Sequence, residues 1–284
     1  MSVWRRGGGW SLTGWIFLVF LLLYAALPMV WMLITSVQSQ FAAIQYPPEF
    51  IPSNPTLEQY ARLLSPTSEI GGQFLRYMWN SIYVSTLTTI FGVGVAVPAA
   101  YAFSRFRFPG RNALFFSVLF RNMFPAVVFL MPLFIMMRWF GLVNTHASLV
   151  ITYLTFGLPL SIWLLKGFYD NIPVELEQAA RIDGCTRFQA FWMIVMPLST
   201  PGIIATAIFS FITAWNEYVY ALTFLNSDEK LTLPVGLQRF FTEYATNWPG
   251  LMAASFIMSV PVVVMFLVLQ KYFVRALTEG AVKA

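Results

Sequence analysis

The sequence predicts an all-α integral membrane protein with six transmembrane helices, and three observations carry that prediction. First, 58% of the 284 residues are hydrophobic and only 10% are charged, whereas a soluble domain usually carries about 25% charged residues. So few charges do not cover a water-facing surface. Second, the apolar residues fall in runs, and a helix crosses a bilayer core with about 20 of them. Third, Lys and Arg are distributed unequally between the two sets of connections, as topology demands. The length fits one domain. The net charge of +5 sits mostly at the ends of apolar runs, which argues for membrane topology and against nucleic acid.

Residues 1–12 read as a short cytoplasmic N-terminus and residues 13–37 as the first span, uncharged throughout with Pro28 inside. A signal peptide is the competing reading, because Arg5 and Arg6 precede the run. The run exceeds the usual apolar region of about 7–15 residues, and no small-x-small cleavage site follows. Residues 38–78 form an outside connector opened by Pro47, Pro48, Pro52 and Pro55. A short helix is expected over 56–64, capped by Thr56, with Leu57, Tyr60, Ala61 and Leu64 on one face. The core, 79–284, holds five further spans at 79–103, 112–137, 147–165, 201–225 and 250–270. A basic turn, Ser104 to Arg111, separates the second and third spans, and a tail over 271–284 closes the chain.

Eleven basic residues (Arg5, Arg6, Arg105, Arg107, Arg111, Lys166, Arg181, Arg187, Lys271, Arg275, Lys283) fall on one side and five (Arg62, Arg76, Arg138, Lys230, Arg239) on the other. The richer side is the cytoplasmic one, so both termini and the long polar loop at 171–200 are expected there. Proline recurs in every span, standing at the first residue of the fifth. Such helices bend and rely on neighbours to satisfy freed carbonyls, which suits a bundle around a pathway.

The 171–200 loop is the longest polar interruption in the second half. Pro173 sits near a helix start, where its missing N–H does no harm. Glu175 and Glu177 lie in the first turn, where the helix dipole favours negative charge. Ile172, Leu176, Ala179 and Asp183 keep helical spacing, and Ala179 with Ala180 makes a surface narrow enough to enter a cleft. Gly184 ends the helix as a C-cap would. Phe188, Phe191 and Trp192 make the next segment interfacial, and Cys185, the single cysteine, reads as a small filler. These features describe a short amphipathic cytoplasmic helix, either lying on the membrane surface or presented to a partner.

The loop resembles a known pattern. Gln178-Ala179-Ala180-Arg181-Ile182-Asp183-Gly184, then nine residues, then Ile194-Val195-Met196-Pro197 looks like the coupling-loop motif of binding-protein-dependent ABC importer permeases. That motif runs Glu-Ala-Ala, three residues, Gly, nine residues, Ile-x-Leu-Pro. Two positions depart from it: Gln178 stands for the motif Glu and Met196 for its Leu. Trp215-Asn216-Glu217-Tyr218 is similar to a Trp-Asn-Glu-aromatic pattern of the sugar-importer branch with the six-span maltose-transporter subunit. The ending Gly280-Ala281-Val282-Lys283-Ala284 resembles that branch's Gly-Ala-Val-Lys-Gly tail, which reaches into the ATPase pair.

The resemblance implies a type I ABC importer permease bundle in a bacterial or archaeal plasma membrane. It implies two ATP-binding subunits, a second homologous permease chain and an extracytoplasmic substrate-binding protein as partners, besides the lipid bilayer. ATP and Mg belong to the ATPase subunits, and no cofactor is expected on this chain. Glu175, Glu177, Gln178, Ala179, Ala180, Arg181, Asp183, Gly184, Pro197 and Lys283 are the expected ATPase-coupling residues. The expected cargo is a sugar or oligosaccharide moved by alternating access, with a glycerol-phosphate-type solute as the alternative.

Individual residues add to this reading. Arg121 and Glu217 lie within spans, where a charge must face the bundle, find a partner or snorkel. Arg121 reads as a structural pair, a snorkelling side chain or part of the path, and Glu217 as a structural or subunit-contact residue or a substrate contact. Asn122, Trp215, Asn216 and Tyr218 combine rings and amides that suit hydroxyl-rich ligands. His146 reads as a solvated turn residue. No GxxxxGK[ST] loop occurs, nor a nucleophile-base pair or metal cluster, so a membrane enzyme is remote. An ion-coupled secondary transporter using Arg121 and Glu217 is the rival from another class.

Overall fold

The computed structural model describes residues 12–241 and 246–281, with side chains described as far as Lys271. The expectations for Arg5, Arg6 and Lys283 lie outside the described residues. Thirteen α-helices are present among those residues. Five helices are long and apolar enough to cross a membrane, or six if the bent pair at 111–139 is one span.

The chain divides into two compact units, one of Met1–Gly72 with Leu237–Ser259, the other of Gln73–Gly236 with Val260–Ala284. In the first, α1 (Leu12–Ser36) contains Pro28 and leaves its apolar side chains exposed. A helix that is apolar on all sides and unburied is solvated by hydrocarbon. Helix α2 (Gln40–Ile44) is capped by Ser39, whose hydroxyl accepts from the Ala42 N–H. Helix α3 (Glu58–Leu64) starts beyond Thr56, whose Oγ1 accepts from the Glu58 N–H at 3.2 Å. Ser36 and Tyr60 share a hydrogen bond of 2.7 Å, and the Tyr60 ring meets Phe256 edge-on. Gln40 donates to the Thr246 carbonyl at 2.6 Å.

In the second unit, α4 (Glu69–Arg105) begins well before the expected Trp79. Ser68 is the cause, since its Oγ accepts from the Gly71 N–H at 3.0 Å and opens the helix early. The third expected span, 112–137, is not one helix. Helix α5 (Arg111–Phe120), a 3-10 turn at Arg121–Met123, a second at Ala126–Phe129 and α6 (Leu130–Trp139) replace it, with a bend of 99°. Pro125 imposes the break: the residue before a proline is pushed out of the helical region, and Phe124 is extended with φ −95° and ψ 137°. Pro132 sits in the first turn of α6 and disturbs nothing.

Helix α7 (His146–Asn171) is capped by Thr145 and continues past the expected Leu165, its last turns carrying the Lys166–Asp170 pair at 2.5 Å. Two short helices, α8 (Val174–Ile182) and α9 (Arg187–Ala190), fill the polar loop. A π-helical turn at Phe191–Val195 runs directly into α10 (Met196–Trp215). The fifth expected span, 201–225, is therefore shifted: the continuous helical run Arg187–Trp215 is itself long and apolar enough to cross a membrane, and α11 (Val219–Phe224) is a separate short helix after a gap. After α12 (Leu233–Gly236), the last helix, α13 (Trp248–Ala281), extends through most of the expected tail.

Ala96 and Ala100 of α4 are fully buried in a cluster with Leu165 and Tyr169 of α7 and with Phe191 and Val195 of the π-turn. Apolar burial gains little against lipid, so close packing over small residues does the holding. The same logic explains Gly202, where a Cβ would lie 2.4 Å from the Phe168 ring.

Contacts at the start of α7 correct one expectation. His146 is half-buried, with Nε2 at 2.9 Å from the Lys230 carbonyl and its ring beside Tyr83. It is an anchoring residue rather than a solvated one.

Candidate coupling and path sites

The polar loop is built from a capped helix, a reversal and a second capped helix. Gly184 has φ +95°, a left-handed conformation that glycine adopts without penalty. Around it the Gly184 N–H reaches the Arg181 carbonyl at 3.2 Å and the Cys185 N–H reaches the Ala180 carbonyl at 3.0 Å. This double closure is the Schellman motif. Thr186 then opens α9 with a reciprocal capping box, its hydroxyl taking the Gln189 N–H while the Gln189 side chain takes the Thr186 N–H. Thr186 and Gln189 stand in the S/T-x-x-E/Q spacing that marks such a box, a signal present in the sequence.

Glu177 fixes the orientation of α8. It is buried, 7% exposed. Its Oε1 meets Nε of Arg105 at 2.5 Å and its Oε2 accepts from the Tyr101 hydroxyl at 2.6 Å. Arg105 also donates through Nη2 to the Ile172 carbonyl at 2.8 Å. One carboxylate and one guanidinium thus tie α8, the end of α7 and the end of α4 together. The pair is 72 residues apart in sequence, and no spacing rule could have found it.

With Glu177 turned inward and Ala180 half-buried, the other coupling candidates on α8 face out: Glu175, Gln178, Ala179 and Arg181 are exposed, as are Asp183, Gly184 and Pro197. Leu176, Ile182 and Phe188 are exposed apolar side chains among them. The expected narrow alanine surface is therefore half present, with Ala179 outward and Ala180 turned toward the body. A cavity of about 150 Å3 under α8 is lined by Tyr101, Arg105, Glu177, Gln178, Arg181 and Arg187, among others.

The second cluster lies where the break in the third expected span meets the gap between α10 and α11. Tyr220, in the first turn of α11, donates through its hydroxyl to the Ala126 carbonyl at 2.6 Å, so the break after α10 is joined to the break after α5. Phe156 of α7 touches a residue from each side of this junction: its ring lies 5.1 Å from that of Tyr220 and 3.5 Å from the Arg121 guanidinium carbon. Non-helical backbone at membrane depth persists only where protein buries it or a polar cavity solvates it. A cavity of about 150 Å3 adjoins, bounded by Thr88, Tyr153, Phe156, Thr213, Glu217 and Tyr220, among others. The Thr88 hydroxyl is enclosed without a partner.

Within this cluster the expected path residues separate. Glu217 is a cap, accepting the N–H groups of Tyr220 at 2.9 Å and Ala221 at 3.1 Å and the Tyr153 hydroxyl at 2.7 Å. Trp215 is 1% exposed and stacked on Phe211, so it offers no open face to a ligand; packing within the bundle claims the ring. Asn216 is exposed, with its amide turned back onto the Ile212 carbonyl at 2.9 Å. Tyr218 is half-buried. Arg121 is half-buried, and Asn122 beside it is exposed. The Arg121 Nη1 donates to the Asn122 side chain at 2.7 Å, while its Nε is enclosed without an acceptor. A charge at bilayer depth costs about 2.5–3.5 kcal/mol, which contact with Phe156 offsets by up to about 2 kcal/mol. Among the described residues no carboxylate pairs with it, nor do three or more His, Cys, Asp or Glu gather as for a metal.

Several membrane-length helices, a further span broken at Phe124–Pro125, and a polar helix clamped to the ends of α4 and α7 define a multi-pass membrane transport component. Residues 89–279 match the family of binding-protein-dependent transport system inner membrane components, and the chain belongs to that family. It is 38% identical to the trehalose/maltose transport system permease protein MalG of Thermococcus litoralis, over 90% of this chain and 91% of that one. It is 36% identical to the inner membrane ABC transporter permease protein YcjP of Escherichia coli, over 94% of each chain. A solved bacterial ABC transporter that imports the acidic polysaccharide alginate superposes with a TM-score of 0.78 at 26% identity, over 91% of this chain and 94% of that one. The family places the chain among transport components rather than enzymes.

Proposed function

We propose that this chain is a permease subunit of an ATP-driven importer and forms part of the path for a sugar or oligosaccharide. Two ATP-binding subunits dock against α8 from the cytoplasm, where both termini lie. A second permease chain completes the path, and an extracytoplasmic binding protein delivers the solute. ATP and Mg sit on the ATPase subunits. Closure of the ATPase pair pushes α8, and the push changes which side of the path is open. The observation that carries this reading is the Glu177–Arg105 clamp, because it gives α8 a rigid mount on two long helices while its other face stays exposed. The sugar assignment is supported by relatives such as MalG of Thermococcus litoralis.

The test is to purify the chain with its native partners and to record a native mass spectrum and ATP turnover. Two ATPase chains and two permease chains are expected, with turnover lost when Ala179 and Ala180 are both replaced by Trp. A chain that purifies alone, without ATPase subunits, contradicts the proposal.

A further inference from the structure

We infer that Arg121 is a specificity-determining residue of the path and selects a solute carrying a negative charge, a carboxylate or sulfonate on a sugar ring. The inference deepens the proposed function and rests on it. Arg121 lies ten residues beyond Arg111, the first residue of α5, about 15 Å along a helix, in the 3-10 turn where the span breaks. Glu217, the charged residue in the gap between α10 and α11, is consumed by two backbone N–H groups and the Tyr153 hydroxyl. The guanidinium carbon lies 3.5 Å from the centre of the Phe156 ring, and Nη1 donates to the Asn122 side chain at 2.7 Å and to the Phe156 carbonyl at 3.4 Å. A guanidinium held this way is oriented but not neutralised. With Nε enclosed and Nη1 engaged, Nη2 is the group left to donate to an anionic oxygen in a charge-assisted hydrogen bond. The exposed Asn122 amide adds a donor for neighbouring hydroxyls, and the Phe156 ring belongs to the wall of the adjoining cavity. Its partners among the described residues are the neutral Asn122 side chain and the Phe156 carbonyl, so the positive charge itself stays uncompensated.

The experiment uses the complete assembly with its binding protein in nanodiscs. ATP turnover is measured with matched disaccharides of hexoses and of the corresponding hexuronates. The strongest stimulation is expected from a hexuronate. Arg121→Gln should then lower the acidic-to-neutral ratio about tenfold, the loss of one charge-assisted contact, and Arg121→Lys should recover part of it. A neutral sugar as the best substrate overturns the inference, as does a silent panel. An equal loss for both classes in Arg121→Gln, or loss of the second permease chain from its native mass spectrum, also overturns it and reveals a structural or subunit-pairing role. The importer reading stands or falls separately, on whether ATPase subunits co-purify.

Discussion

Replacing Arg105 by Met should disconnect α8 from the bundle without removing it. The substitution keeps much of the side-chain volume but leaves the Glu177 carboxylate buried with only the Tyr101 hydroxyl, and it also frees the Ile172 carbonyl. Both side chains are 9% exposed, so surface screening does not soften the loss. Stranding one member of a buried pair costs about 3–5 kcal/mol. That cost is borne where α8 rests on α4, since the core cluster of Ala96, Leu165 and Val195 does not involve the charges. The helix should therefore undock locally while the spans stay inserted. The assay is solute transported per ATP hydrolysed by the reconstituted assembly. A tenfold or greater fall in that ratio is expected, with the subunit composition unchanged. The double variant Arg105→Met with Glu177→Met removes both charges and should restore most of the melting temperature, because apolar replacements of buried pairs are often neutral. A wild-type ratio in the single variant would refute the clamp as the mount of the coupling helix.

Three further outcomes follow from the geometry. Gly184→Ala has open space for its methyl group but must hold φ at +95°; a cost of about 1–2 kcal/mol should appear as weaker coupling with normal insertion, read by transport per ATP. Gly202→Val drives a side chain into Phe168 and should lower the stability of the solubilised assembly by about 1–3 kcal/mol, read as a fall in Tm. Glu217→Ala strips the start of α11 and the Tyr153 hydroxyl of their acceptor; a loss of about 1.5–3 kcal/mol is expected by the same measurement, and an unchanged Tm would deny the capping role.

Much of the helical content is legible in the apolar runs, because length and polarity are one-dimensional properties. The breaks are not. Phe124-Pro125 and Asn216-Glu217 interrupt helices inside runs that stay apolar on both sides. Proline alone does not mark them, since Pro28, Pro98, Pro159, Pro201 and Pro261 remain inside helices. What distinguishes Pro125 is tertiary: the Tyr220 hydroxyl waits for the Ala126 carbonyl. The helix of the polar loop and its glycine stop are legible from local rules, because caps act within a few residues. The inward turn of Glu177 is not, because its partner Arg105 belongs to another helix. The burial of Trp215 against Phe211 is hidden for a similar reason. A ring beside an amide looks the same in sequence whether it meets a ligand or Phe211.

The central claim is that ATP, and not an ion gradient, moves solute along this path. Uptake into proteoliposomes holding the complete assembly, with ATP on the ATPase side, tests it most directly. The account predicts that uptake persists when ionophores collapse proton and sodium gradients, and that it stops when ATP is omitted or when Ala179 and Ala180 are both Trp. Uptake that follows the gradient and ignores ATP would contradict it.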